Sequence, residues 1–477
     1  MTTNSAERLT IIGAGLVGSL LAVLLAQRGH RVEVFERRGD PRRLGYEGGR
    51  SINLAMAARG LRALDDAGLR EVVMAQTVLM RGRMVHERDG SSGLQRYGRD
   101  DSEVIWSVHR GRLNVALLDA AEAAGATLHF DRRLVDVDWQ TLELELADET
   151  GNSYRHRAGL ILGTDGAGSA VRAAMQRQTD LGERFEPLQH AYKEVMISPA
   201  PGNGFKLEPH ALHIWPRDAF MVIALANIDG SFTGTLFLSE DGDPGFASLD
   251  TPAAVQAFFA EHFPQVAALV DDLVGDFFRH PTGMLGTLWL DRWHLDQRAL
   301  LLGDAAHALV PFHGQGMNCG FEDALELAQC IDRDGLADPQ ALFAGFAARR
   351  KANADAIARM ALTNYIEMRD RVDDPDYKLK REIEAELQRR HPERFMPRYA
   401  LVTFSALPYA QAESHDRLQT GIVDELARGL TSAADTDWHQ AARLVESQLP
   451  VLPESAHWRA VPPTLPAPDS VAGPVAD

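Results

Sequence analysis

Leu9-Thr10-Ile11-Ile12 runs directly into Gly13-Ala14-Gly15-Leu16-Val17-Gly18, and the reading of this stretch decides the fold. The apolar run is a short buried strand, and the glycines punctuate a turn that opens a helix. Leu20, Leu21, Val23, Leu24 and Leu25 make that helix apolar, and it stops near Gly29, a residue suited to the position after a helix end. Arg31-Val32-Glu33-Val34-Phe35-Glu36 then alternates with period two. Strand, turn, helix and strand in this order open a parallel α/β sheet. Glycines in such a turn let the backbone approach a pyrophosphate, and the helix N-terminus adds its positive dipole end. Glu36, 23 positions after Gly13, can accept hydrogen bonds from ribose hydroxyls. Gly13, Gly15, Leu16, Val17, Gly18, Glu36 and the adjoining Arg37 are therefore the candidate dinucleotide-binding residues. The alternative is a glycine-rich turn in a generic α/β domain, and the motif alone does not decide between FAD and NAD(P).

The rest of the composition is that of an ordinary folded protein. Of 477 residues, 45% are hydrophobic and 24% charged, which excludes a disordered chain. Lys and Arg total 49 against 67 Asp and Glu, a net charge of −18, so the surface repels phosphate backbones and nucleic acid is not an expected partner. Two cysteines, Cys319 and Cys330, cannot build a disulfide framework, and a reducing compartment is expected. No uncharged apolar stretch reaches the ~18–20 residues that span a bilayer, and Met1 to Arg8 lacks the apolar centre of a signal peptide. A cytoplasmic protein without a membrane anchor is the expectation.

Further along, Arg112 to Ala124 has a helical pattern, and short strands follow through Leu162. Met221-Val222-Ile223-Ala224-Leu225 and the run Thr233 to Leu238 flank Ile228-Asp229-Gly230-Ser231, and Asp-Gly between two strand-like runs signals a hairpin. That segment reads as an antiparallel sheet inserted into the first domain. Ala299 to Gly303 is again a buried-strand pattern, leading to a helix around Gly320 to Asp332, and residues 337 to 390 have helical spacing. The last 27 residues contain Pro453, Pro462, Pro463, Pro466, Pro468 and Pro474 and are expected to be a loosely ordered tail. The expected fold is α/β: a Rossmann-like FAD-binding domain from segments 1–70, 100–180 and 285–340. An inserted antiparallel-sheet substrate domain comprises 71–99 and 181–284, a C-terminal helical cap 341–450, and the tail 451–477.

Two later segments point to FAD. Gly163-Thr164-Asp165-Gly166-Ala167-Gly168 follows Leu160-Ile161-Leu162, and Leu302-Gly303-Asp304-Ala305-Ala306-His307 precedes Pro311-Phe312-His313-Gly314-Gln315-Gly316-Met317-Asn318. With the first glycine motif these resemble, in order and spacing, the FAD-dependent aromatic hydroxylases, single-component flavoprotein monooxygenases. The resemblance implies that Asp304 bonds the ribityl chain and that the helix after the second glycine loop aims its N-terminus at the flavin pyrimidine ring, where reduction places negative charge. It also implies cofactor contacts from Asp165, Arg110, Leu134, Gln315, Gly316, Met317 and Asn318. The chain lacks a second GxGxxG in strand–helix context, which fits a family whose nicotinamide donor binds without its own Rossmann domain.

Gly49-Arg50-Ser51-Ile52-Asn53-Leu54, Arg81-Gly82-Arg83-Met84-Val85-His86, Tyr97-Gly98, Ser107-Val108-His109-Arg110 and Val402 to Tyr409 are most similar to the kynurenine-hydroxylating members of that family, over about residues 9 to 412. The resemblance assigns the substrate carboxylate to Arg83, helped by Tyr97, Tyr409 and Asn364; a guanidinium fork suits a carboxylate bidentately. Ile223, Leu225, Phe237, Phe312 and His313 would line the aromatic pocket. Core packing is the ordinary alternative for the tyrosines and the apolar residues, and a solvent-facing position for Asn364. His307 and His313 have no third metal-ligating residue at ligand spacing, so no metal is expected, and Cys319, without a paired base, is read as packing at the start of the flavin helix.

The implied activity is NADPH- and O2-dependent hydroxylation of L-kynurenine to 3-hydroxy-L-kynurenine through a flavin C4a-hydroperoxide, a step of tryptophan degradation toward quinolinate and NAD. No catalytic side chain is expected, because the chemistry is centred on the flavin. Two alternatives stay open: a related flavoprotein hydroxylase acting on another aromatic acid, and a non-hydroxylating or halogenating FAD protein. A halogenase would carry a Trp-x-Trp-x-Ile-type motif, whereas Trp106, Trp139, Trp215, Trp289, Trp293, Trp438 and Trp458 are scattered.

Overall fold

Pairing of Arg8–Ile12 with both Arg31–Phe35 and Leu160–Gly163, in parallel, builds the centre of a six-stranded sheet. Its order is His294–Leu295, Ala299–Leu301, Leu160–Gly163, Arg8–Ile12, Arg31–Phe35, Thr127–His129, and only the His294–Leu295 edge runs antiparallel. The computed structural model describes residues 8–44, 53–370 and 374–457. Gly49 to Ile52 of the quoted motif and the tail from 458 onward lie outside them.

Helix Leu16–Gln27 begins at the glycine turn and ends before Gly29, whose φ of 84° places it in the left-handed region. It packs against helices Arg110–Ala123 and Gly316–Asp334, so three elements far apart in sequence meet over one face of the sheet. The other face is covered by an antiparallel meander, Arg133–Asp138, Glu143–Ala147 and Ser153–Arg157. Hence the period-two alternation in Arg31–Phe35 does not mark a solvent face. Glu33 is buried and ion-paired to Arg8 at 3.4 Å, with the His156 ring 3.3 Å away.

The inserted sheet has seven strands in the order Gly283–Trp289, Arg184–Ile197, Phe232–Ser239, Phe220–Ala226, Ala211–Arg217, Gly82–His86, Ser92–Arg96. Strand Gly283–Trp289 straddles the boundary expected at 284/285. The Asp-Gly hairpin forms: Gly230 takes φ 87° and the Asn227 N–H donates to the Ser231 carbonyl at 2.8 Å. Alternation splits the sheet cleanly. Val222, Ala224 and Leu236 face helices 252–279 in one core, while Ile223, Leu225 and Phe237 face the segment 309–312 and the cap.

The C-terminal region is helical: Pro339–Asp370, Pro375–Arg390, Arg398–Thr403, Tyr409–Ala427 and Trp438–Gln448. The tail, expected to be loose from 451, is instead anchored at two points within residues 451–457. Leu452 and Ala456 are buried, the Leu452 N–H donates to Glu393, and Ala406 donates to Ser455. Two small apolar side chains and two backbone bonds outweigh the proline content here. Among the described residues no helix is long and apolar enough to cross a membrane.

Acid sensitivity follows from the histidines. Burial holds the His86 ring down to about 4 and His313 down to about 3, and pushes His213 down as well. These rings stay neutral in the fold while the unfolded chain protonates near 6.5. Stability is therefore fully present above pH 6.5 and is lost as pH falls below it. A ring that remains neutral loses about 1.4 kcal/mol by pH 5.5. The urea midpoint should drop measurably between pH 7.5 and 5.5; an unchanged midpoint would mean that these rings protonate inside the fold.

Candidate active site

The glycine turn is built for contact with something outside the chain. Gly13 has φ 103°, and a Cβ there would lie 2.7 Å from the Thr164 carbonyl and the Asp165 Cα. A Cβ on Gly18 would lie 2.0 Å from the Gly13 carbonyl oxygen. These glycines allow strand, turn and helix to close on each other. Gly15 differs: a Cβ there meets nothing within 4 Å. Gly15 is the N-cap of Leu16–Gln27 and gives that helix no side-chain cap, so its first N–H groups are left for a ligand. Helix Gly316–Asp334 repeats the arrangement, with no side-chain cap from Gln315 and open space above Gly316. Two long helices thus present uncapped N-termini, the donor set that a pyrophosphate and an electron-rich flavin edge require. Gly15→Ala should fold normally but bind FAD about 5- to 150-fold more weakly, from about 1–3 kcal/mol of steric cost. Undiminished FAD content after dialysis would move the pyrophosphate elsewhere.

Glu36 stands at the end of its strand, accepting from the Ala14 N–H at 2.8 Å and the Arg38 N–H at 3.0 Å. The Arg132 N–H donates to the Glu36 carbonyl at 2.8 Å, which brings Leu134 to the same end of the sheet. Arg37, Arg38 and Arg133 line a cavity of about 240 Å³ there. Half-buried Arg110 opens helix Arg110–Ala123, whose Asn114 donates to the Ala14 carbonyl at 3.0 Å and so ties it to the glycine turn.

The two later motifs meet through Arg172, which donates to Ala167 at 2.6 Å and to Ala305 at 3.1 Å. Asp165 points into its own chain: its carboxylate accepts from Ser169 at 2.5 Å and Ala170 at 2.6 Å, and burial raises its pKa. Asp304 is exposed between buried Gly303 and Ala305. Asn318 is fully buried and turned inward, bonding Ala55, Ala57 and Gly314. Buried Met317 belongs to the core and Gln315 is buried as well, which leaves Gly316 as the loop's more open element.

Behind these loops runs a buried charge network that periodicity could not disclose. Asp323 accepts from the Gly303 N–H at 2.9 Å, His307 Nε2 at 2.6 Å and Arg350 at 2.7 Å. Arg350 also holds Glu322 at 2.6 Å, and Glu322 pairs with Arg59 at 3.3 Å. Burial pushes the Asp323 carboxyl up, but His307 and Arg350 outweigh it and hold it at about 2. Here one sequence expectation needs amending. His307, Cys319 and Asp323 do converge, with ligand atoms within 4.8 Å of one another. The Arg350 guanidinium nevertheless occupies one Asp323 oxygen, and burial pushes the Cys319 thiol up, so the cluster is an ion-pair network rather than a cation cage.

On the inserted sheet, the Arg83 guanidinium lies 5.6 Å from the Tyr97 ring and 5.4 Å from the Tyr399 ring, and these rings stack at 5.3 Å. Burial works against the Arg83 charge, but the facing phenols Tyr97 and Tyr399 outweigh it and raise its pKa. The buried Tyr97 oxygen has no well-formed hydrogen bond among the described residues, nor has either nitrogen of His313, whose ring stacks on Tyr399 at 5.5 Å. Unpaired buried polar atoms are costly unless a ligand completes them. Ile223, Leu225, Phe237 and Phe312 stand beside this group, with Phe237 and Phe312 5.2 Å apart.

Tyr409 is placed differently from its assignment. Tyr409 is fully buried, donates to Gln315 Oε1 at 2.8 Å and lies over Arg59 at 3.8 Å; Tyr399 occupies the place beside Arg83. The chain carries two tyrosines ten positions apart, and only the fold tells which one faces Arg83. Asn364 donates to the Phe312 carbonyl at 2.7 Å, fastening the long helix to the Pro311–His313 turn.

Comparison with known proteins gives the family and the fold. An FAD binding domain family model matches residues 7–361. The kynurenine 3-monooxygenase of Stenotrophomonas maltophilia is 53% identical over 459 residues, covering 96% of this chain and all of that one. The Xanthomonas axonopodis enzyme of the same name is 54% identical over the same span. Among solved structures, 2-methyl-3-hydroxypyridine-5-carboxylic acid oxygenase superposes with a TM-score of 0.62 at 19% identity, covering 77% of this chain and 94% of that one. Pseudomonas aeruginosa PqsL in complex with 2-aminobenzoylacetate gives 0.61 at 22%, covering 76% and 97%. The structural neighbours establish the fold, and the near-full-length relatives establish the branch. This chain is an FAD-dependent monooxygenase belonging to the kynurenine 3-monooxygenase family.

Proposed function

We propose that the protein hydroxylates L-kynurenine to 3-hydroxy-L-kynurenine with NADPH and O2. The uncapped helix ends would hold FAD, Gly15 at its pyrophosphate and Gln315 and Gly316 at its flavin edge. The observation that carries the reading is Arg83 beside the stacked Tyr97 and Tyr399, with the two unpaired ring nitrogens of His313 next to them. The guanidinium takes the amino-acid carboxylate and the phenols complete its acceptor sites. Ile223, Leu225, Phe237 and Phe312 hold the aromatic ring and exclude water.

When bound, FAD supplies the redox chemistry: it takes electrons from NADPH and activates O2. The protein's share is positioning. The substrate's own amino group activates the adjacent ring carbon, so no general base is required. Burial first, then Arg398, keeps His313 neutral, with its pKa near 3, so it offers one donor and one acceptor throughout the working range. The test is the FAD-loaded protein with kynurenine, NADPH and air. Product carrying one added oxygen at the ring position beside the amine supports the reading; NADPH oxidation stimulated only by another aromatic acid overturns it.

A further inference from the structure

The buried phenol of Tyr409 has a specific target. Its ring rests on the Arg59 guanidinium at 3.8 Å, and Arg59 is itself held by the Leu407 carbonyl at 2.5 Å and by Glu322 at 3.3 Å. On that support its hydroxyl donates to Gln315 Oε1 at 2.8 Å. Tyr409 is the first residue of helix Tyr409–Ala427, and Gln315 immediately precedes helix Gly316–Asp334, so one hydrogen bond joins the starts of two long helices 94 positions apart. Tyr409 is fully buried and Gln315 is 1% exposed, so water does not substitute for either partner.

An amide side chain has two nearly isosteric orientations; the Arg59 cation over its ring makes the Tyr409 phenol the better donor, and the His313 carbonyl can accept only from Nε2, so together they select the one with Oε1 toward Tyr409. With Oε1 taken by Tyr409, the Nε2 donors turn the other way, where one reaches weakly toward the His313 carbonyl at 3.4 Å. We propose that Tyr409 is a positioning residue. It fixes the Gln315 amide so that an N–H donor, and never the carbonyl oxygen, is presented to the flavin edge. The consequence is electrostatic. A donor there stabilises negative charge on the reduced ring, whereas a flipped amide would set an oxygen against it. The arrangement rests on the reading above that Gln315 faces the flavin.

The test uses the FAD-loaded full chain with Tyr409→Phe, Gln315→Ala and the double variant. Tyr409→Phe keeps the ring over Arg59 and removes only the hydroxyl. A neutral hydrogen bond is worth about fivefold in an equilibrium, so roughly that much amide orientation should be lost. The expected result is retained FAD and kynurenine affinity within about twofold of the parent, well inside that fivefold change. The flavin absorption spectrum and midpoint potential should shift, and more hydrogen peroxide should be released per NADPH. The double variant should be no worse than Gln315→Ala alone, because one interaction is lost either way. If Gln315→Ala leaves spectrum and potential unchanged, the placement of Gln315 at the flavin fails and the proposal with it. If Gln315→Ala shifts them but Tyr409→Phe does not, the proposal alone is overturned. Additive effects in the double variant overturn it too, as does a loss of kynurenine affinity in Tyr409→Phe with an unperturbed flavin.

Discussion

Arg83→Met should leave the flavin bound and raise the kynurenine dissociation constant by about 30-fold or more, the consequence of losing a buried charge-assisted pair worth about 2–5 kcal/mol. Methionine keeps much of the stem volume, so the Tyr97 and Tyr399 rings retain a neighbour while the fork of donors disappears. The effect belongs to the amino-acid head group. A kynurenine analogue without its carboxylate should bind parent and variant alike, since it never used the guanidinium. Titration of the flavin spectrum with each compound reads both constants. Equal kynurenine affinity in a folded, FAD-loaded Arg83→Met variant would place the carboxylate elsewhere.

The second large effect lies away from the substrate. Asp323→Ala should destabilise the protein by about 3–5 kcal/mol, because it leaves Arg350 buried with half of its charge compensation removed. It also frees the Gly303 N–H, which Asp323 holds at 2.9 Å, and thereby loosens the turn that presents Asp304. Urea unfolding and FAD content should therefore fall together. Pairing Asp323→Ala with Arg350→Met, which removes the stranded charge, should recover part of the stability but not the flavin affinity. A loss of under about 1 kcal/mol for Asp323→Ala would mean that solvent reaches Arg350 and the network does not brace the turn.

The parallel α/β sheet, the inserted hairpin and the glycine turns were legible because their signals are local. Gly13 to Gly18 with Glu36, the Asp229-Gly230 hairpin and the Gly303-Asp304 turn each depend on backbone conformations or spacings within a few tens of residues. The near-continuous apolar texture of the parallel strands follows likewise from burial on both faces. Family resemblance then pointed to Arg83, because its motif is contiguous. What the chain alone could not settle depends on partners distant in sequence. Tyr399 and Tyr409 offer the same side chain at nearly the same place in the chain. Only the packing of Arg398–Thr403 against the inserted sheet, and of Tyr409 against Arg59, separates a phenol beside Arg83 from a phenol on Gln315. Glu33 sits on an alternating strand whose polar face the meander later covers. Leu452 and Ala456 pack despite neighbouring prolines, because the cap provides their apolar surroundings. Asp323, Arg350, Glu322 and Arg59 have no recognisable spacing, and charged residues are ordinarily read as solvated. Their burial together is possible only where the tertiary fold brings opposite charges within hydrogen-bond reach, since none of them could leave water without the others.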